Sequence, residues 1–204
     1  MKIIAQDSAL VRDGAAGYDG RMDFEQVIGA LLQRFEQEHI RYAVMGGFAI
    51  GALGIPRATR DLDFLIHRDD LARFQDILAG LGYQCHHQTE DVSQYYHPHA
   101  QWGAIDAIHA FRQHAVAMLD RAKTRTVFEG TKTLHVLEAE DIIGLKVQAM
   151  ANNPIRRTRE VVDIEALASQ HGATLDWARI LEYYTLFELD EEGRQLKERF
   201  THAQ

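Results

Sequence analysis

The stretch Val44-Met45-Gly46-Gly47, followed by Asp61-Leu62-Asp63-Phe64, is the most informative part of this chain. A Gly-Gly turn has no Cβ atoms, so its backbone N–H groups can approach an anion closely. The two aspartates are two residues apart in an apolar run, a spacing that places both carboxylates on one face of a strand. Carboxylate oxygens placed in this way can share a hard divalent cation such as Mg²⁺. The combination predicts phosphoryl or nucleotidyl transfer.

An Asp-x-Asp pair on its own is a weak signal, because solvent at a sheet edge would also satisfy two aspartates in a strand. The Gly-Gly turn at this distance favours a metal site. A third carboxylate is expected on a neighbouring strand, and Asp106 fits, since it lies in the apolar run Gly103-Ala104-Ile105-Asp106-Ala107-Ile108. The alternative for Asp106 is a capped or paired edge aspartate. Weaker candidates in loop-like sequence are Glu90, Asp91 and Asp120.

Composition places the chain among ordinary globular proteins. It has 204 residues, of which 46% are hydrophobic and 25% charged, enough to bury a sizeable core. The single cysteine, Cys85, rules out an intrachain disulfide. No signal peptide or transmembrane run is found, so we expect a cytoplasmic protein without membrane contact. A net charge of −8 argues against nucleic-acid binding through overall charge.

Hydrophobic periodicity predicts an α/β part in residues 1–136, with a loosely packed lead-in over the first twenty residues, and a helical part in residues 137–204. Asp23 is predicted to cap the first helix, with Gln26 as its capping-box partner. The segment 91–101 is expected to be a loop or an irregular edge. Strands are predicted at 42–45, 61–66, 83–87, 104–109 and 125–128. Helices are predicted at 23–38, 48–53, 69–79, 139–152, 161–169, 175–184 and 190–201.

The longer string Gly46-Gly47-Phe48-Ala49-Ile50, with Thr59-Arg60-Asp61-Leu62-Asp63, resembles the DNA polymerase β-like nucleotidyltransferase superfamily. Among its members it is most similar to the AbiEii-like nucleotidyltransferases of toxin–antitoxin and phage-defence systems. Aminoglycoside nucleotidyltransferases share a similar string. The second AbiEii-like motif is looser, and its places would be filled by a helical lysine, a basic stretch and an aspartate: Lys146, Arg156, Arg157, Arg159 and Asp163. The resemblance covers about residues 40–165.

The resemblance implies the nucleotidyltransferase fold, a short mixed sheet with flanking helices, followed by a C-terminal helical region. It implies transfer of a nucleoside monophosphate from an NTP to a hydroxyl of RNA, tRNA or protein, with a toxin role and a cognate antitoxin as partner. Two Mg²⁺ ions, or Mn²⁺, would be held by Asp61, Asp63 and Asp106, which are also the catalytic residues. Two alternatives stay open: a small-molecule acceptor such as an aminoglycoside, and a non-catalytic toxin–antitoxin binding partner.

Basic residues complete the predicted nucleotide site. Gly46 and Gly47 would seat the phosphates, and Arg60 and Lys146 would bind the triphosphate, with Arg57 as an alternative to Arg60. Each of these cations could instead be a solvated surface charge or part of a salt bridge. The cluster Arg156–Arg159 could hold an RNA acceptor or form a solvated helix face.

The eleven histidines match no usual zinc spacing, so surface or supporting roles are favoured for them. The tryptophans and tyrosine pairs are predicted to be core or interface residues, although Tyr95 or Tyr96 could lie near the cleft.

Overall fold

The computed structural model describes residues 22–201, and a seven-stranded mixed sheet is its centre. The strands lie in the order β3-β4-β5-β2-β1-β7-β6. Their bounds are β1 Tyr42–Met45, β2 Asp61–His67, β3 Gln84–Gln88, β4 Val92–Tyr96, β5 Ala104–Ala110, β6 Lys123–Val127 and β7 Lys132–Val136. The α-helices are α1 Phe24–Gln37, α2 Gly46–Ala52, α3 Leu71–Gly80, α4 Gln113–Arg121, α5 Ala139–Asn152, α6 Arg157–His171, α7 Trp177–Leu186 and α8 Asp190–Thr201.

Strand β2 lies in the middle of the sheet, antiparallel to β1 and parallel to β5. Residues 62–66 are buried, as expected for a strand covered on both faces. On one face the ring of Phe64 contacts Phe35 of α1 and Phe74 of α3, with ring centroids 5.7 and 6.2 Å apart. Because side chains alternate along a strand, Asp61 and Asp63 lie on the other face.

The predicted N-cap of α1 is confirmed, but the predicted capping box is not: the backbone N–H of Asp23 donates to the Gln101 carbonyl at 2.7 Å rather than to the Gln26 side chain. The backbone N–H of Gln26 donates to Asp23 Oδ1 at 3.0 Å, which satisfies one of the free donors of the first turn. Residues at helical spacing on its apolar face, Val27, Leu31 and Phe35, are buried. The helix therefore forms where its capping residue and periodicity predict.

The expectation of a loop or an irregular edge at residues 91–101 was wrong for Val92–Tyr96, which forms strand β4 between β3 and β5. Its polar residues misled the sequence interpretation. Ser93 is fully buried and lies 3.0 Å from His109 Nε2, while Gln94 pairs in register with Asp106. Helix α4 and strand β7 were also missed, since neither was predicted from the sequence.

Helices α5–α8 follow the sheet, and a buried polar cluster holds α5 against α4 and α7. Asp141 of α5 has no exposed surface, accepts from Arg121 at 2.8 and 3.1 Å, and accepts from the Tyr183 hydroxyl at 2.7 Å. Burial and the nearby Asp141 carboxylate raise the pKa of Tyr183, so its hydroxyl stays a donor. One hydrophobic core runs through the strands and these helices. The division into 1–136 and 137–204 stays a prediction.

In residues 22–201 no helix combines the length and apolar character that crossing a bilayer requires. The predicted lead-in at residues 1–20 lies outside the described residues.

Candidate active site

Two of the predicted acidic residues are neighbours in the sheet. Strands β2 and β5 run parallel with Asp63 opposite Asp106 and Asp61 opposite Ala104. Adjacent strands lie about 4.8 Å apart, so the Asp63 and Asp106 carboxylates start from adjacent backbone positions on one face. Asp63 is 9% exposed. Placing acids together in a partly buried site is costly unless they are hydrogen-bonded or bind a cation.

The Gly-Gly turn lies directly against Asp63, one member of this pair. Gly46 follows β1 with φ +66°, and a Cβ added to it would lie 1.9 Å from Asp63 Oδ2. A Cβ on Gly47 would lie 2.8 Å from Thr59 Oγ1. Both positions therefore need glycine, one for its backbone conformation and for space, the other for space. The turn predicted from the sequence brings the backbone of α2 onto the acidic pair.

Asp61 and Asp106 each accept a hydrogen bond from a polar side chain that was not predicted to belong to the site. Thr59 Oγ1 donates to Asp61 Oδ1 at 3.0 Å, within the loop that leads into β2. Gln94 Nε2 donates to Asp106 Oδ1 at 3.3 Å from the neighbouring strand β4. Thr59 could have been recognised as a hydroxyl two residues before an aspartate. Gln94 could not, because its segment was interpreted as a loop.

These residues form one end of a cavity of about 350 Å³ between the sheet, the α2–β2 loop and helices α5 and α6. It brings together all seven predicted site residues, namely Gly46, Gly47, Arg60, Asp61, Asp63, Asp106 and Lys146. Apolar side chains from the sheet and from α5 complete the walls: Val92, Ile108, Ile142, Leu145 and Ala149. Polar and charged side chains line the cavity both on the side of the sheet and on the side of α5 and α6, so it can bind a charged, polar ligand.

Lys146 lies in an ion-pair network rather than alone. Its Nζ is 2.6 Å from Asp163 Oδ2 and 2.8 Å from Glu160 Oε2, and its side chain is 13% exposed. Arg57, from the loop before β2, bonds Asp163 at 2.9 Å, and Arg156 bonds Glu160 at 2.7 Å. The network ties the loop that carries Thr59 to both helices of the opposite wall. Asp163, implied by the resemblance alone, is a member of it.

The basic cluster of α6 is divided by its contacts. Arg156 and Arg159 line the cavity, whereas Arg157 pairs with Glu192 of α8. Arg159 is exposed. Part of the cluster therefore faces the cavity and part of it holds two helices together.

The weaker acidic candidates lie elsewhere. Glu90 pairs with Arg68 at 2.6 Å and Asp91 with Arg112 at 2.9 Å, while Asp120 is exposed on α4. In the sequence between Met22 and Thr201, no group of three or more His, Cys, Asp or Glu side chains is arranged to hold a metal ion.

Histidine and aromatic side chains serve the fold more than the cavity. Burial lowers the pKa of His109, whose ring bonds the Glu90 carbonyl at 2.9 Å. Tyr95 is buried, and neither it nor the exposed Tyr96 is among the residues that line the cavity.

A sequence profile of a family described as uncharacterised nucleotidyltransferases matches residues 22–192. This chain belongs to that family. The predicted enzyme class, a nucleotidyltransferase, and the predicted α/β nucleotidyltransferase fold are thereby confirmed. No curated protein matches the sequence.

Solved structures share the fold at low identity. ANT(2'')-Ia in complex with adenylyl-2''-tobramycin is 16% identical, with a TM-score of 0.60 over 80% of this chain and 97% of that one. The solution structure of ANT(2'')-Ia is 17% identical, with a TM-score of 0.60 over 87% and 99%. An antigenic nucleotidyltransferase-like protein from Paracoccidioides brasiliensis is 15% identical, with a TM-score of 0.51 over 87% and 94%. The roles of individual site residues in this nucleotidyltransferase stay predictions.

Proposed function

We propose that this nucleotidyltransferase moves a nucleoside monophosphate from an NTP to a hydroxyl acceptor, with Mg²⁺ or Mn²⁺ as cofactor, at the cavity between the sheet and helices α5 and α6. The observation that carries the proposal is the register of Asp63 with Asp106 beside the Gly46 turn. This arrangement combines two carboxylates with backbone that only glycine allows so close to them. A non-catalytic binding partner would not need such a constellation.

In the proposed reaction the acceptor oxygen attacks the α-phosphorus of the NTP. An oxygen–phosphorus bond forms, the bond from the α-phosphorus to the bridging oxygen breaks, and pyrophosphate leaves with the electron pair. The hydroxyl proton passes to Asp106, which is the proposed base. Gln94 Nε2 donates to Asp106 Oδ1 at 3.3 Å, which restricts the orientation of the carboxylate. Positioning and charge neutralisation supply most of the rate in such transfers.

Asp61, Asp63 and Asp106 are the residues that would hold the divalent cation. Their carboxylate oxygens are hard ligands, and Mg²⁺ in enzymes is usually bound by one or two carboxylates together with substrate phosphates and water. The NTP phosphates and water would complete the coordination. When bound, the cation would neutralise the phosphates and the leaving pyrophosphate.

The donor site is proposed to be the Gly46–Gly47 turn with Arg60 and Lys146. Arg60 immediately precedes Asp61 and lines the cavity, so its guanidinium can reach phosphate oxygens near the acids. Lys146 is held in place by Glu160 and Asp163. Its contribution is therefore that of a fixed positive charge in the wall.

The AbiEii-like relationship and a toxin role with a cognate antitoxin also belong to this proposal, as does a cytoplasmic site of action. They are supported by the meeting of Lys146, Arg156 and Asp163 at one cavity, since these residues were assigned to the second AbiEii-like motif. RNA, tRNA or protein would then be the acceptor. The neighbouring reading frame in the genome tests this part, because an adjacent antitoxin-like gene is expected.

The transfer itself is tested by incubating the protein with each of four α-³²P-labelled NTPs, Mg²⁺, and total cellular RNA, total protein or an aminoglycoside. We expect label on one acceptor class, and none after removal of Mg²⁺ with EDTA. The Asp61→Ala/Asp63→Ala variant is the control. Label transfer that survives this double substitution would overturn the proposed site.

A further inference from the structure

The basic side chains that line the cavity fall into two groups. Arg57, Lys146 and Arg156 bond the two carboxylates of α6, Glu160 and Asp163, at 2.6–2.9 Å. Both carboxylates are largely buried, with 3% and 6% of the side chain exposed. Such carboxylates are committed to their basic partners, because breaking a buried ion pair is costly. They cannot also bind a cationic ligand.

Two further arginines of the cavity, Arg60 and Arg159, are exposed and come from different walls. Arg60 belongs to the loop before β2, next to the acids. Arg159 belongs to the first turn of α6, a 15-residue helix whose N-terminal end is electropositive. Across the span 22–201 no carboxylate lies within ion-pair distance of either arginine. Both guanidinium groups are therefore available to a ligand.

The turn that precedes α6 adds a second donor to the cavity wall. Asn153 also lines the cavity, and its Oδ1 accepts from the backbone N–H of Ile155 at 3.1 Å. The group that Asn153 can offer to a ligand is thus its amide N–H₂, a donor. A guanidinium fork together with an amide donor suits an oxyanion, whereas a guanidinium group repels an ammonium group nearby.

We propose that the acceptor carries a phosphate next to its reacting hydroxyl and that Arg159 binds this phosphate; the inference rests on the transferase function proposed above. Polycationic aminoglycosides are then poor acceptors, although ANT(2'')-Ia shares the fold. The phosphate could belong to the terminal nucleotide of a single-stranded RNA or to a small phosphorylated alcohol. Both present the same chemistry to Arg159.

The test compares four acceptors with labelled NTP and Mg²⁺: a short RNA with a free 3′-hydroxyl, glucose 6-phosphate, glucose and tobramycin. We expect label on a phosphate-bearing acceptor, and which of the two is labelled identifies the source. Label on tobramycin or glucose at a comparable rate would overturn the inference. If only a component of total cell extract is labelled, the inference is overturned when that component is a protein. It is also overturned when Arg159→Glu leaves the labelling unchanged.

Variants separate the acceptor site from the donor site. Arg159→Glu is expected to raise the KM for the acceptor at least about tenfold, a loss of about 1.4 kcal/mol in binding, and to leave the KM for NTP unchanged. Arg159→Lys should retain part of the affinity. Arg125→Glu, at the exposed strand β6, is the matched control and should change neither constant. A raised KM for NTP would instead place Arg159 in the donor site. If the wild-type protein neither binds NTP nor transfers label to any acceptor, the proposed function itself is refuted.

Discussion

Gly46 and Asp63 are packed so closely that any side chain on Gly46 would collide with the carboxylate. A Cβ would lie 1.9 Å from Asp63 Oδ2, and the φ of +66° is unfavourable for other residues. We expect Gly46→Ala to displace Asp63 and reduce transfer at least about a hundredfold, since small displacements of reacting groups have effects of this size. Activity and thermal unfolding measured on the same sample would check this.

Gly51 is the matched control, because it lies in the same helix α2 and its Cβ would meet no atom within 4 Å. Gly51→Ala should leave activity unchanged and stabilise the protein by up to about 1 kcal/mol, as alanine favours a helix. Equal activity losses in the two variants would mean that α2 tolerates no substitution, and that the Gly46–Asp63 contact has no special role.

Asp63→Asn and Asp106→Asn test the paired acids separately. Each removes one negative charge with little change in volume, so we expect the fold to be retained. Transfer should fall by about two orders of magnitude or more if these side chains hold the cation or accept the proton. Asp120→Asn, on the exposed end of α4, should behave as the wild type. Circular dichroism and transfer rates distinguish loss of chemistry from loss of fold.

Lys146→Met should destabilise the protein by about 1–3 kcal/mol, because it removes one donor from two largely buried carboxylates that keep Arg57 and Arg156 as partners. A second variant, Lys146→Met/Glu160→Gln, removes one of those charges and should regain part of the stability. Activity should stay low in both variants if Lys146 also serves the triphosphate. Urea unfolding and the KM for NTP are the measurements. Recovery of activity together with stability would make Lys146 a purely structural residue.

The hydrogen bonds of Asp70 are expected to contribute to the free energy of unfolding in a way that is lost in acid. Burial raises its pKa, but hydrogen bonds from Arg41 at 2.8 Å and from Arg73 outweigh this and lower it to about 2, against 3.8 as the ordinary value. The folded state thus holds the charged form more strongly than the unfolded state. The contribution, about 2 kcal/mol, is present above pH 4 and is lost as the pH falls through about 2.

Asp70→Asn should remove this contribution at neutral pH and flatten the dependence of unfolding free energy on pH between about 4 and 2. Asp69→Asn is the control, since the Asp69 side chain is 75% exposed. Denaturant unfolding at several pH values would show it. The same pH dependence in wild type and Asp70→Asn would refute the assignment.

The sequence predicts the central part of the site well because its signals are local. The glycine turn precedes Asp61 by a fixed distance in the chain, and the apolar run around Asp106 marks a buried strand. Strand register then brings Asp63 and Asp106 together, which no local pattern states directly. The sequence predicts that Asp63 and Asp106 lie on neighbouring strands, but it does not predict the strand register that places them opposite each other.

Strand β4 shows why the remainder was harder to predict. Its polar residues look like a loop, but Ser93 bonds the buried His109 and Gln94 bonds Asp106. Their partners lie 16 and 12 residues away in the chain, so tertiary contacts decide the conformation. The network around Lys146 depends in the same way on Arg57 and Asp163, which are 106 residues apart.

The hydrogen bond from the Leu137 N–H to the Val44 carbonyl, 3.0 Å long, joins the start of the helical part to the strand that ends at the glycine turn. Together with the Arg57–Asp163 ion pair, it fastens both walls of the cavity to the residues around the acids. The backbone bond forms with any residue that keeps its N–H at position 137, but the ion pair depends on the side chains. Exchanging the helical part for that of a relative, as one would to redesign acceptor choice, therefore requires that residue 57 be matched to its new partner on α6. A chimaera without a matched ion pair at residue 57 would hold the new acceptor-binding helices in the wrong position relative to the acids.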